Sequence, residues 1–193
     1  MLRAIIVTFA VTAALLPAGA VAKGPLDCDS GGKAPAGAYL LHAPAPEDIA
    51  EFLRVHNQAR QAVGVPGLKW SRSLCTLAFI QARTLAQSGT IKHDQDRRFG
   101  ENLFWGSGRP YTGADAARYW LGEKVKYAHG PVTAGNYRGT AHYTQMVWAK
   151  TTQVGFWVAK DLHGATIVVA LYGPRGNKVG ETPYPQRYKL GQF

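Results

Sequence analysis

Apolar side chains recur at three- and four-residue spacing in three segments, which is the spacing of amphipathic helices. The pattern predicts helices over residues 46–64, 71–88 and 112–127. The first begins at a proline and ends at a glycine, as helices commonly do. Ser71 can cap the second helix, and Thr112 begins a capping box at the start of the third.

Three further segments have the composition of β-strands. Residues 99–105 form a strand-like run, and residues 154–159 and 166–172 form two β-rich runs separated by a short turn, which predicts a hairpin. The run Ile167–Leu171 is apolar without alternation, which is typical of a strand covered on both faces. Three helices and a doubly covered sheet predict an α+β fold, a three-layer α-β-α sandwich with a central antiparallel sheet.

The first 22 residues have the pattern of a secretory signal peptide: a basic start, an apolar run over 4–16 and small residues before position 23. Export to the extracellular space, or to a periplasm if the source is bacterial, is the expected location. No later run approaches the ~20 apolar residues of a membrane-spanning helix, so no transmembrane segment is predicted. Residues 23–45 are predicted to form an arm, 46–180 the folded domain and 181–193 a tail.

The formal net charge is +10, but the basic residues are scattered along the chain. Scattered charge favours weak attraction to anionic surfaces over specific nucleic-acid binding. Cys28 and Cys75 are the only cysteines, and an exported chain is expected to pair them in a disulfide. The alternative is two unpaired, buried thiols.

Polar residues also occur where apolar ones would be expected. His56 lies on the buried stripe of the first helix, which favours a hydrogen-bonded core histidine over a ligand. Glu101 and Glu123 fall on apolar segments and need partners, for which a salt bridge is the simple explanation. Thr140 can cap a short helix that carries His142.

Two imidazoles and two carboxylates could together bind a divalent ion, with the acids either ligating it or orienting the rings. The four candidates are His93, Glu101, Glu123 and His142. None of the familiar linear zinc, hydrolase or phosphate-binding motifs is present. Spacing alone therefore does not assemble these residues into one site.

Five ordered motifs resemble the CAP superfamily, which comprises cysteine-rich secretory proteins, antigen 5 and pathogenesis-related 1 proteins and shares the SCP domain. They are His56–Arg60, Gly100–Leu103, Trp120 with Glu123 and Tyr127, Ala141–Trp148, and Tyr172–Asn177. The resemblance implies an α-β-α sandwich. It also implies that His93, Glu101, Glu123 and His142 correspond to the family's cavity tetrad, which holds zinc or another divalent ion in some members. The two cysteines are fewer than the six usual in the plant proteins.

Two functions follow from the resemblance. The first is a secreted binding module with an antimicrobial or host-interaction role, whose groove for a lipid, sterol or peptide is lined by Trp105, Tyr143, Gln145 and Trp148. The second is a zinc-dependent, protease-like hydrolase with Glu101 or Glu123 as general base. The binding module is the favoured interpretation. A basic protein that binds anionic glycan or nucleic acid by charge alone is the weakest alternative.

Overall fold

The protein's structure is a computed structural model, which describes Cys28 and residues 43–94 and 98–186. The predicted signal peptide, most of the predicted arm and the end of the predicted tail lie outside the described residues. Cys28 and Cys75 form the predicted disulfide, which ties the N-terminal segment to the second helix.

The first two helices are where the sequence predicted them. Helix α1 spans Pro46–Val63, and Gly64 ends it with a φ of 76°. Helix α2 spans Arg72–Ser88, and the Ser71 hydroxyl accepts a hydrogen bond from the backbone N–H of Leu74. A left-handed residue directly after a helix is most easily a glycine, which explains the first stop.

The third helix is shorter than predicted. Helix α3 spans Gly113–Gly122 and begins with the predicted capping box between Thr112 and Asp115. The next four residues, Glu123–Lys126, form a 3-10 helix, so Glu123 and Tyr127 leave the α-helical face on which the spacing had placed them. Gly122 lies where the α-helix changes to the 3-10 helix, and glycine is a poor helix former.

A short fourth helix, α4, spans Ala141–Met146. No helix within the described ranges has the length and apolarity needed to cross a bilayer.

The sheet has four strands in the order β1-β3-β4-β2: β1 Lys69–Trp70, β2 Gly100–Gly106, β3 Gln153–Lys160 and β4 Thr166–Gly173. Strand β4 pairs antiparallel with both neighbours, which includes the predicted hairpin. Strand β1 was not predicted and pairs in parallel with β3. Two residues are too few for periodicity to show.

The sheet is covered on both faces, as its apolar fourth strand predicted. Helix α2 packs on one face, where β4 contributes Ile167, Val169 and Leu171. Helices α1, α3 and α4 lie on the other face, where β4 contributes Val168, Ala170 and Tyr172. Because successive side chains of a strand point to opposite faces, neighbouring residues of an edge strand reach different layers.

Candidate functional site

The four predicted polar residues form two histidine–carboxylate pairs. The Nδ1 atom of His93 lies 2.6 Å from Oε1 of Glu101, and the Nδ1 atom of His142 lies 2.7 Å from Oε1 of Glu123. An ionised carboxylate only accepts hydrogen bonds, so each Nδ1 carries the hydrogen and donates it. In a neutral ring the Nε2 atom then keeps its lone pair, which is the atom that binds a metal ion or accepts a proton.

The first pair lies beside helix α2. His93 belongs to the irregular segment after that helix, and its side chain is 59% exposed, whereas the Glu101 side chain is only 9% exposed. The backbone N–H of Asp94 also donates to Oε1 of Glu101, at 3.2 Å. The hydrogen bond to Glu101 raises the pKa of His93, although partial burial acts against it. The second oxygen of Glu101, Oε2, is buried, and no hydrogen-bond partner for it lies among the described residues.

A cavity of about 90 Å³ adjoins this pair. Its lining is mainly apolar and includes two carboxylates, one from Asp94 before β2 and one from Glu101 within β2. The lining residues are Leu77, Ile80, Gln81, Asp94, Phe99, Glu101 and Leu171.

The second pair is part of the start of helix α4. Oε2 of Glu123 accepts hydrogen bonds from the backbone N–H groups of His142, at 2.9 Å, and Tyr143, at 3.2 Å. Glu123 therefore caps the helix from 19 positions away in sequence. The sequence predicted Thr140 in this role, but its side chain makes no capping bond and donates to the carbonyl of Asn136 instead.

Electrostatics favour the charged form of Glu123. Burial alone would raise the pKa of this carboxyl group, but hydrogen bonds from the His142 ring and from two backbone N–H groups outweigh burial, so the pKa is lowered. The imidazole of His142 is stacked on the ring of Trp120, with 6.0 Å between centroids and an interplanar angle of 26°. Both members of the second pair are thus held in place, Glu123 by hydrogen bonds and His142 by its contact with Trp120.

Neighbouring residues of the edge strand β2 contact the two pairs from opposite faces of the sheet. Glu101 points toward α2, whereas the amide of its neighbour Asn102 donates to the carbonyl of His142, at 3.1 Å, on the other face. Within the part of the chain that is described, no three or more His, Cys, Asp or Glu side chains are placed to hold a metal ion together. The four residues of the predicted tetrad therefore form two histidine–carboxylate pairs in this structure. In each pair the carboxylate is hydrogen-bonded to a ring nitrogen and so orients the imidazole.

A buried hydrogen-bond network connects α1 to the second pair. His56 donates through Nδ1 to the carbonyl of Phe52, at 2.9 Å, and its Nε2 lies 2.9 Å from the hydroxyl of Tyr172. The amide of Asn102 donates to the same hydroxyl, at 3.2 Å. Burial lowers the pKa of His56 to about 4, so the ring is neutral at pH 7.

The core position predicted for His56 is thus confirmed. The roles of Asn102 and Tyr172 were missed, although both lie in the motifs that carry the family resemblance.

Arg60 is a second functional candidate that sequence reasoning left without a role. Its fully buried guanidinium donates to the backbone carbonyls of Pro66, Met146, Trp148 and Thr151, at 2.6–3.0 Å. Burial lowers the pKa of Arg60 to about 10, which still leaves it charged at pH 7. Two of these carbonyls lie at the end of α4, where a cation also complements the helix dipole.

Three of the four residues predicted to line a groove are in the core. Tyr143, Gln145 and Trp148 are each about 1% exposed and satisfy their contacts internally. The amide oxygen of Gln145, for example, accepts from the backbone N–H of Gly176, at 3.0 Å. A Cβ at Gly100 would lie 2.1 Å from this oxygen, so only glycine fits there.

Trp105 alone lies at the surface, where its indole N–H donates to Asp161, at 3.3 Å. The structure therefore does not assemble the predicted groove from these four side chains.

Comparison with known proteins identifies the family to which this chain belongs. Residues 53–172 match the sequence model of the CAP family, described as the cysteine-rich secretory protein family. The chain belongs to the CAP family. The pathogenesis-related protein 1 of Arabidopsis thaliana is 38% identical over 148 residues, which cover 77% of this CAP chain and 89% of the plant protein. The PRMS pathogenesis-related protein of Zea mays is 39% identical over 155 residues, covering 77% and 90%.

Solved structures confirm the CAP fold. The crystal structure of NaASP2 with Zn²⁺ has a TM-score of 0.63 at 27% sequence identity, covering 73% of this chain and 86% of that one. The structure of BmVAL-1 has a TM-score of 0.62 at 24% identity, covering 72% and 82%. The predicted superfamily and the α-β-α sandwich are both confirmed by these matches.

Proposed function

We propose that this CAP protein is an exported binding protein that holds a divalent ion such as Zn²⁺ through Nε2 of His93 and Nε2 of His142. The observation that carries the proposal is that both Nδ1 atoms face a carboxylate, at 2.6 and 2.7 Å. A carboxylate behind a histidine fixes the tautomer and makes the other nitrogen a better metal ligand. A 27% identical structural neighbour, NaASP2, was crystallised with Zn²⁺, which supports the choice of ion.

The residues present fit zinc in donor chemistry, but they supply few ligands. Structural zinc sites usually have four protein ligands and catalytic ones three, whereas two imidazoles are available here. Weak, exchangeable binding is therefore expected, with water or a bound ligand in the remaining positions. When bound, the ion would supply a Lewis-acid centre that can hold an oxygen ligand.

A binding role has better support than hydrolysis. The hydrolase alternative requires a carboxylate that is available to take a proton from an attacking water. Oε1 of Glu101 and both oxygens of Glu123 are engaged by hydrogen bonds, so Oε2 of Glu101 is the atom left for that task. It is buried, and a general base must reach the proton that it removes.

A lipid or sterol ligand has less support than a metal ion. The cavity beside Glu101 measures about 90 Å³. Pockets for drug-sized ligands are usually about 300–1,000 Å³, so this cavity accommodates only a small group. A lipid bound elsewhere on the protein is an outcome that the experiment below can reveal.

Export and a defence role are part of the same proposal. The signal-peptide pattern of residues 1–22 supports export, and the Cys28–Cys75 disulfide suits an oxidising compartment. The relatives in Arabidopsis thaliana and Zea mays carry the name pathogenesis-related, which supports an antimicrobial or host-interaction role.

Native mass spectrometry of the secreted protein tests the metal and lipid assignments together. We expect one zinc per chain at a modest excess of the ion, and its loss in the His93→Ala/His142→Ala double variant. His163→Ala is the matched control, since His163 is an exposed histidine in the β3–β4 turn. Zinc retained by the double variant would overturn the site, and a copurifying lipid mass with no zinc would favour the lipid alternative.

A further inference from the structure

Charge is distributed unevenly along the described chain. Residues 124–160 contain five Lys or Arg residues and no Asp or Glu. Elsewhere acids and bases are interspersed and often paired, as in Arg54–Glu51 at 2.6 Å. The long segment without acids begins directly after Glu123, next to the second histidine–carboxylate pair.

Three of these cations lie on two segments beside the N-terminal end of α4. Lys124 and Lys126 lie on the 3-10 helix, and Arg138 lies in the turn before α4. The Lys126 side chain lies against Gly139, where a Cβ would be 3.7 Å from its Cδ, so the two segments are in contact. Among the residues whose positions are described, no carboxylate lies within ion-pair distance of any of the three cations.

The same two segments expose apolar side chains. Val125, between the two lysines, is 87% exposed, and Tyr137, beside Arg138, is 42% exposed. We call the residues Lys124–Lys126 and Tyr137–Arg138 the basic tip. A single exposed valine is unremarkable by itself, but Val125 has a lysine on each side in sequence, and no carboxylate among the described residues pairs with either lysine.

We propose that the basic tip binds the surface of an anionic phospholipid bilayer, with Val125 entering the headgroup region. Basic residues near such a surface are attracted to its phosphates, while an apolar side chain gains by entering the acyl boundary and tyrosine suits the interface between them. Nucleic acid and sulfated glycan would reward the cations but not Val125. The proposal is independent of zinc binding, because it uses none of the paired side chains.

The chain offers a matched control for Val125. Val179 is 74% exposed and also lies beside a lysine, but Lys178 is 4.0 Å from a carboxylate oxygen of Glu181. The two valines therefore share side chain and exposure, and differ in whether the neighbouring cations are neutralised. Replacing each with serine isolates the contribution of the basic tip.

Vesicle cosedimentation tests the proposal on the secreted protein. We expect binding to vesicles of phosphatidylcholine mixed with phosphatidylglycerol, and little binding to phosphatidylcholine alone. Lys124→Gln/Lys126→Gln should weaken the binding about 25-fold, at roughly fivefold per lysine. Val125→Ser should weaken it about fivefold, and Val179→Ser should leave it unchanged.

Two results would overturn the proposal. One is vesicle binding by Val125→Ser that is as tight as that of the wild-type protein, because the attraction would then depend on charge alone. The other is DNA or heparin binding that is at least as tight and equally sensitive to the two lysine substitutions. Zinc content is measured on the same samples, and we expect it to be unchanged in all three variants, so the failure of one proposal is distinguishable from the failure of the other.

Discussion

The two histidine–carboxylate pairs have the same chemistry and different support. Glu123 receives three hydrogen bonds, two of them from the first turn of α4, and its histidine is stacked on Trp120. Glu101 receives one bond from His93 and one from a backbone N–H, and its other oxygen has no partner within the described part of the chain. The His93 side chain is 59% exposed, against 26% for His142.

In the proposed ion site, this difference would make the His142 half fixed and the His93 half adaptable. The His142 half is built into a helix start, so its imidazole is oriented before any ion arrives. The His93 half is on an irregular segment, which can adjust to the ion. Substitutions that affect one half alone can therefore break or sharpen this distinction.

The largest effect is expected from Arg60→Met. The substitution removes four buried hydrogen bonds to backbone carbonyls, and we expect the free energy of unfolding to fall by about 4 kcal/mol. Because Arg60 holds the end of α4, NMR signals of the His142 ring should broaden while those of His93 stay sharp. Arg54→Met, at an exposed arginine, is the control for urea denaturation, and a loss below about 1 kcal/mol for Arg60→Met would contradict the assigned role.

Glu123→Gln is expected to cost about 2 kcal/mol at neutral pH, because it removes a charged helix cap. The pKa of Glu123 is lowered from 4.5 in the folded state, so its stabilisation is complete above pH 4.5 and is lost as the pH falls through the folded value. Urea denaturation as a function of pH should therefore show the variant and the wild type converging in acid. A constant difference across that window would mean that the charge contributes nothing.

As the pH is lowered, zinc affinity should begin to fall at a higher pH than it would for a histidine with the ordinary pKa of 6.5. Only a neutral imidazole binds the ion, and the pKa of His93 is raised above 6.5 by Glu101. Below the raised pKa, affinity should drop about tenfold per pH unit as His93 becomes protonated. Competition with a coloured chelator between about pH 8 and pH 5 measures this dependence. Full affinity down to pH 6.5 would show that Glu101 does not influence the ion site.

Local sequence signals predicted most of the fold. Helix α1, helix α2, the capping box at Thr112 and the β3–β4 hairpin depend on neighbouring residues, and the structure has all four. Carboxylates on apolar segments also identified one member of each pair, Glu101 and Glu123. Each deviation is costly to bury, so it marks a partner even when the partner is unknown.

The partners themselves depend on contacts between distant parts of the chain. Glu123 reaches α4 across 19 positions, and Asn102 reaches the carbonyl of His142 across 40. Alternation along an edge strand predicts that neighbouring side chains point to opposite faces. It does not show which distant part of the chain each face will contact. The burial of Tyr143 was missed for a related reason, because an aromatic residue suits a core and a groove equally well.

The smallest stability effect is expected from Glu101→Gln, the counterpart of Glu123→Gln. The amide oxygen of glutamine can still accept the hydrogen from Nδ1 of His93. The substitution also removes the charge from the buried Oε2 position, which has no partner among the described residues. Stability should therefore change by less than about 0.5 kcal/mol. The pKa of His93 should nevertheless return toward 6.5, which an NMR titration of the metal-free protein measures directly. The zinc titration should then shift to lower pH by the same amount. A stability loss as large as that of Glu123→Gln would show that the His93 half is as fixed as the His142 half.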